Sequence, residues 1–150
     1  GDVGEALSNP MVARGAAYSD FDNDGDLDVL VSVNNGPARL LRNDGGNVNN
    51  FLRVVTRGTS SNSDGIGARV EVSLPGRALI WQIVKTGSSY ASQSELPLTF
   101  GLGNATVAES LRVIWPSGMI DTLGSVKANQ QLTIREGDGL VETLPIERVR

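Results

Sequence analysis

The chain has 150 residues, a formal net charge of −4, 18 glycines, and neither cysteine nor histidine. That balance leaves no basic footprint for nucleic acid, and the missing Cys and His exclude thiolate nucleophiles, His-based triads and zinc sites built on those ligands. With 39% hydrophobic residues the sequence can build one domain, or one small domain with an attached piece, and it has no apolar run long enough to cross a membrane.

The chain opens Gly1-Asp2, without Met and without a signal peptide, and reads as a piece of a longer or processed protein. Residues 1–12 are irregular. From Arg14 the pattern turns to β, and Ala16 to Ser19 runs directly into an acidic stretch. Val29 to Val33 behind it is β-branched, which favours a strand over a helix. Asn34-Asn35-Gly36-Pro37 is a turn, Ala38 to Asn43 a third strand, and Asp44-Gly45-Gly46 its end.

Asn47 to Asn50 is a polar joint and a candidate boundary. Beyond it, Phe51 to Arg57 alternates around Leu52, Val54 and Thr56, and Ala68 to Leu74 sets Val70, Val72 and Leu74 on one face. That spacing suits half-buried antiparallel strands. Ala78 to Lys85 returns after Pro75-Gly76. Leu96 to Gly101, Ser110 to Trp115 and Gln131 to Glu136 supply three further strands, and Thr106 to Ser110 is read as a short helical turn. Many strands with turns between them predict an all-β fold, an antiparallel β-sandwich or a barrel-like domain. The organisation read from this pattern is 1–46, 47–137 and a tail at 138–150.

The acidic stretch Asp20 to Asp28 reads Asp-Phe-Asp-Asn-Asp-Gly-Asp-Leu-Asp. Like charges at this density repel one another unless a cation sits among them. Carboxylates at Asp20, Asp22 and Asp24, bent round by Gly25, can converge on one centre. Asp26 adds a backbone carbonyl and Asp28 a further carboxylate. Hard oxygens on alternating residues with a glycine turn are what a Ca²⁺ loop needs. An EF-hand has the same opening but requires a Glu at the twelfth position, between helices; here that position is Val31, in a strand. Mg²⁺ fits less well, because it keeps its waters. Paired catalytic carboxylates face each other across a cleft from separate elements, so the loop argues for metal binding over catalysis. The residues proposed as metal ligands are Asp20, Asp22, Asp24, Asp26 and Asp28.

The pattern Asp-x-Asp-x-Asp-Gly-x-x-Asp followed by Asp28-Val29-Leu30-Val31 resembles the FG-GAP/VCBS repeat. That resemblance implies that residues 14–44 form one β-propeller-type blade whose loop holds Ca²⁺. The rest resembles an ASPIC/UnbV domain, of the kind found at the C-terminal end of cartilage acidic protein-like proteins. The segments carrying this likeness are Ser61 to Val70, Gly87 to Ser94, Phe100-Gly101-Leu102-Gly103, Val113 to Gly118 and Ala128-Asn129-Gln130. Together they imply a non-enzymatic, calcium-binding module of a secreted, periplasmic or cell-surface protein that mediates adhesion or binds an extracellular protein or glycan.

Other residues keep two readings. Asn62, Asp64, Gly65, Gly67 and Arg69 are either a polar binding edge or turn chemistry. Tyr90, Ser92, Gln93 and Ser94 either bind sugar hydroxyls, as a carbohydrate-binding module of a larger secreted enzyme, or satisfy loop backbone. Trp115 and Trp81 are either core or ligand platforms. Asn104-Ala105-Thr106 is a glycosylation sequon by pattern.

Overall fold

A computed structural model describes residues 8–45 and 48–146. The expected boundary at residues 46 and 47 lies outside them, as do the ends of the chain. The described residues form thirteen strands in four sheets, none of which closes on itself. The fold is all-β.

The first sheet is an antiparallel meander of β1 (Ala13–Ser19), β2 (Asp28–Val33) and β3 (Arg39–Leu41). Its two faces come from a period of two: Ala17, Leu30 and Leu40 form an apolar row on one, and Ala16, Val31 and Arg39 lie opposite one another on the other. Ser19 pairs with Asp28, so the acidic stretch is the connection of this first hairpin.

Two four-stranded sheets follow. One has the order β10-β9-β5-β6, from β5 (Arg69–Ser73), β6 (Ile80–Ile83), β9 (Ser110–Ile114) and β10 (Ile120–Leu123). The other has the order β13-β12-β4-β7, from β4 (Asn50–Arg57), β7 (Leu98–Gly103), β12 (Gln130–Arg135) and β13 (Gly139–Pro145). They share one core, in which Leu52, Val54, Phe100, Leu102, Leu132 and Ile134 meet Val70, Val72, Leu111, Val113 and Trp115. Alternation on each strand supplies these residues. Burying each large aliphatic or aromatic side chain contributes roughly 1.5–3 kcal/mol.

β4 departs from simple alternation. Phe51, Leu52, Arg53 and Val54 are all buried in succession. Leu52 and Val54 belong to the shared core, whereas Phe51 and Arg53 face the acidic loop. A strand covered on both faces loses its polar period. β4 also runs parallel to β12, while every other strand pair is antiparallel. The long excursion through β5 to β11 makes that parallel pairing possible.

One expectation is corrected. The segment Thr106 to Ser110 is not a helical turn: β8 (Val107–Ala108) pairs with β11 (Val126–Lys127) in a two-stranded sheet. A few residues cannot repay helix nucleation. The bonds from Glu109 N–H to Ser73 O (2.9 Å) and from Ala128 N–H to Thr106 O (2.9 Å) offer the backbone a better partner. The tail segment, for which the sequence pattern gives no element, contributes β13 as an edge strand on β12. Gly137 and Gly139, at φ 84° and 72°, shape the reversal before it. No helix among the described residues is long and apolar enough to cross a membrane.

Candidate metal centre

The acidic loop is folded by its own carboxylates. Asp24 N–H donates to Asp20 Oδ1 (3.0 Å), and Asp26 N–H donates to Asp24 Oδ1 (3.1 Å). Such aspartate-to-backbone bonds replace strand pairing where the chain must turn. Asn23 and Gly25 take positive φ, 59° and 95°. Asp28 closes the loop: its Oδ2 accepts Phe21 N–H (3.0 Å) and its Oδ1 accepts Asn43 N–H (2.8 Å), tying the start of the loop and the end of β3 to one carboxylate.

One carboxylate oxygen from each of Asp20, Asp22 and Asp24 lies within 4.8 Å of the other two. Ca²⁺ ligands sit at 2.3–2.6 Å from the ion, so two of them stand at most about 5 Å apart, and the three oxygens suit one such ion. Asp20 Oδ2 is buried and accepts no hydrogen bond. An oxygen in that state is costly unless a positive charge compensates it. Asp20, Asp24, Asp26 and Asp28 are buried, while Asp22 is exposed to solvent at the mouth. The side chains converging on one point are therefore Asp20, Asp22 and Asp24. Asp28 has both oxygens engaged by backbone N–H groups, and Asp26 is buried but is not among the three whose oxygens converge.

The loop rests on β4. The ring of Phe51 packs against Gly25, and the Arg53 guanidinium approaches Asp20 Oδ2 at 3.6 Å. Arg53 also grips Glu95 through both terminal nitrogens and donates from Nε to Gln131 Oε1 at 3.1 Å. Burial pushes the Asp20 carboxyl above its ordinary value. Arg53 and the N–H groups of Gly25 and Asp24 pull against that rise, and Glu95 adds to it. Reading the sequence alone missed Phe51, Arg53 and Glu95. The available signal was the charged Arg53 sharing its strand face with Phe51, opposite Leu52 and Val54.

The segment Ser88 to Glu95 lies along the open edge of β1. Ala16 N–H donates to Ser89 Oγ (3.2 Å), Tyr18 N–H donates to Ser94 Oγ (3.2 Å), and Glu95 N–H donates to Tyr18 O (3.0 Å). Ser92 Oγ donates to Tyr90 O at 2.9 Å. These hydroxyls satisfy backbone, and the Tyr90 ring stays exposed.

The second polar set is turn chemistry. Gly65 and Gly67 have φ of 72° and 92°. A Cβ on Gly65 would stand 2.3 Å from Thr56 Oγ1. Asp64 N–H donates to Asn62 Oδ1 (2.9 Å), and Asp64 O accepts Thr56 Oγ–H (3.0 Å). Trp115 is core, with its Nε1–H on Asp121 Oδ2 at 2.7 Å. Trp81 is half exposed, and the Arg69 guanidinium stacks 4.4 Å above its ring. Asn104 is exposed.

Glu136, another residue the sequence reading passed over, gathers the loops at the far end of the core. Its Oε2 accepts the N–H groups of Thr59, Ser60 and Ser61 at 2.8, 2.8 and 2.7 Å. Its Oε1 accepts the hydroxyls of Ser61 and Ser117. Burial alone would push this carboxyl up, but the Ser117 hydroxyl, the N–H and hydroxyl of Ser61 and the Thr59 N–H hold it down at about 2. Ser61 and Ser117 belong to two of the sequence segments that carried the ASPIC/UnbV likeness, so those segments meet as scaffold.

The family model described as "ASPIC and UnbV" matches residues 58–141, more than half of the chain. Curated relatives include cartilage acidic protein 1 of Mus musculus and of Homo sapiens, each 33% identical over 152 aligned residues that cover 96% of this chain. Cartilage acidic protein 1 of Xenopus tropicalis is 36% identical over 122 residues, 79% of this chain. The chain spans 23%, 23% and 18% of those relatives' lengths.

Proposed function

The chain belongs to the ASPIC and UnbV family, and from that premise we propose that it is a non-enzymatic, calcium-binding module of a longer secreted or surface protein, serving adhesion or partner binding. The observation that carries the reading is the convergence of Asp20, Asp22 and Asp24 oxygens within 4.8 Å. Bound there, Ca²⁺ would add directly coordinated positive charge to the buried Asp20 Oδ2, which accepts no hydrogen bond and has only the Arg53 guanidinium nearby at 3.6 Å. The loop's backbone bonds hold the donors in position, and Asp22 at the mouth leaves room for solvent or a partner's oxygen to complete the shell.

In this reading the first sheet is a blade of the FG-GAP/VCBS type, with residues 88–95 closing one edge. The two four-stranded sheets act as a β-sandwich packed beside it. Their shared core supports the sandwich, and the hairpin connecting β1 and β2 supports the blade. The names of the relatives motivate the extracellular setting. The alternative of a carbohydrate-binding module in a larger secreted enzyme has less support, because the hydroxyls of Ser89, Ser92 and Ser94 are engaged with backbone.

Calorimetric titration with Ca²⁺ tests the proposal. The wild-type chain should bind the ion, and Asp22→Ala, which removes an exposed ligand, should lose most of the heat. Unchanged binding in that variant would place the ion elsewhere, and no binding by the wild type would end the reading. Glycan-array hits that persist with and without Ca²⁺ would favour the alternative.

A further inference from the structure

Arg53 stands between two carboxylates that belong to different parts of the fold. On one side is Asp20 of the acidic loop, 3.6 Å from Nη1. On the other is Glu95, bound through both terminal nitrogens. Glu95 in turn accepts Ser19 Oγ–H at 3.0 Å and donates its N–H to Tyr18 O at 3.0 Å, so it is the point at which the segment 88–95 is fastened to β1. Arg53 is 5% exposed, and its Nε is held by Gln131, which leaves the guanidinium little freedom apart from how closely it approaches each carboxylate.

A divalent cation among Asp20, Asp22 and Asp24 would claim the same Asp20 charge that Arg53 now approaches, and would repel the guanidinium at short range in a site screened poorly by water. From this geometry we infer that Arg53 and Glu95 are positioning residues that couple cation occupancy of the acidic loop to the seating of residues 88–95 on β1. The inference rests on the calcium reading. With the ion bound, the pull of Asp20 on Arg53 is cancelled and the existing two-nitrogen grip on Glu95 tightens; without it, Asp20 at 3.6 Å competes for the guanidinium and weakens that grip. The ion's differential interaction with the two states is its repulsion of Arg53, as any such coupling requires. Tyr18 and Glu95 both line the two clefts beside this edge, of about 500 and 360 Å³, so occupancy of the loop would shape both.

Coupling of this kind is reciprocal. Neutralising Glu95 leaves Arg53 with Asp20 as its remaining carboxylate, in competition with the ion. The test combines calcium calorimetry with amide hydrogen exchange of Ala16, Tyr18 and Glu95 in the presence and absence of saturating Ca²⁺, on the wild-type chain and on Glu95→Gln. The expected result is slower exchange at these amides when Ca²⁺ is added to the wild type, loss of that slowing in Glu95→Gln, and calcium affinity roughly tenfold weaker in the variant. A purely structural role would speed exchange equally with and without the ion, and that result overturns the coupling. Calcium binding by the wild type with no slowing at these amides overturns the inference and leaves the calcium reading standing, whereas a flat titration overturns both.

Discussion

Gly25 of the acidic loop lies flat against the ring of Phe51 on β4: a Cβ at position 25 would stand 2.0 Å from Phe51 Cζ. The glycine that bends the loop is thus also the one that lets it dock. Its φ of 95° and its lack of a side chain serve two different needs at a single position. Loop geometry and the attachment of the first sheet are fixed by the same contact.

Gly25→Ala should therefore fail twice, through backbone strain and through overpacking against an aromatic ring. The combined loss should be at least about 2 kcal/mol in chemical denaturation. Phe51→Ala removes the ring and should cost about 3–5 kcal/mol by itself. In the Phe51→Ala background the steric part of the Gly25→Ala cost disappears, so the double variant should be less destabilised than the sum of the singles. Strict additivity would show that the ring and the glycine do not meet.

Asp22 and Asp28 should differ sharply in what they contribute when no calcium is present. Asp22 is exposed and converges with Asp20 and Asp24 on the proposed ion site, so Asp22→Ala should leave the calcium-free stability within about 0.5 kcal/mol. Asp28 is buried and holds Phe21 N–H and Asn43 N–H, so Asp28→Ala should cost about 1–3 kcal/mol in the same buffer. With Ca²⁺ at a hundredfold excess over its dissociation constant, the wild type should gain about 2.7 kcal/mol, and Asp22→Ala should gain far less. Thermal melts in Ca²⁺ and in chelator check both statements. Equal calcium-free stability of the two variants would refute the division of labour.

The parts of this structure legible in the sequence are those set by local chemistry. The acidic loop announces itself in the spacing of Asp20, Asp22 and Asp24 around Gly25. The longer strands announce themselves by alternation, as in Val70 and Val72 against Leu111 and Val113. A two-residue strand such as Val107–Ala108 has no period to read, and it exists only because Val126–Lys127 comes to meet it. β13 was missed because an edge strand exposed on both faces carries no buried row. Arg53 and Glu95 are 42 positions apart and Glu136 lies 75 from Ser61. Nothing in either segment alone announces such pairings, and Arg53 gave only the weak hint of a charge on a strand's second face.

Acid should loosen the loops gathered at Glu136. This carboxyl is held at about 2 in the folded chain, below its ordinary value of 4.5. A depressed folded value means the contribution is complete above about pH 4.5 and is lost as pH falls towards 2. Glu136→Gln keeps the shape and one acceptor oxygen but removes the charge. The variant should therefore be less stable than the wild type at neutral pH, and the difference should shrink through that acid window. Denaturation midpoints read at several pH values decide this, and a gap of constant size would mean that the charge is not what the serines hold.

The buried indole offers the cleanest pairwise test. Trp115 is 2% exposed, and its Nε1–H reaches Asp121 Oδ2, which also accepts Gly137 N–H at 3.0 Å. Asp121→Ala strands the indole N–H and should cost about 1–3 kcal/mol. Asp121→Asn retains an acceptor and should cost less. Trp115→Phe removes the donor together with part of the ring, so its own cost mixes a cavity with a lost bond. Once the donor is gone, Asp121→Ala no longer leaves it unpaired, and what remains is the loss at Gly137. The double variant should therefore fall short of the sum of its singles by about 0.5–1.5 kcal/mol, the net value of one hydrogen bond. A double-mutant cycle by urea denaturation that gave no such deficit would mean that the indole is held by packing alone.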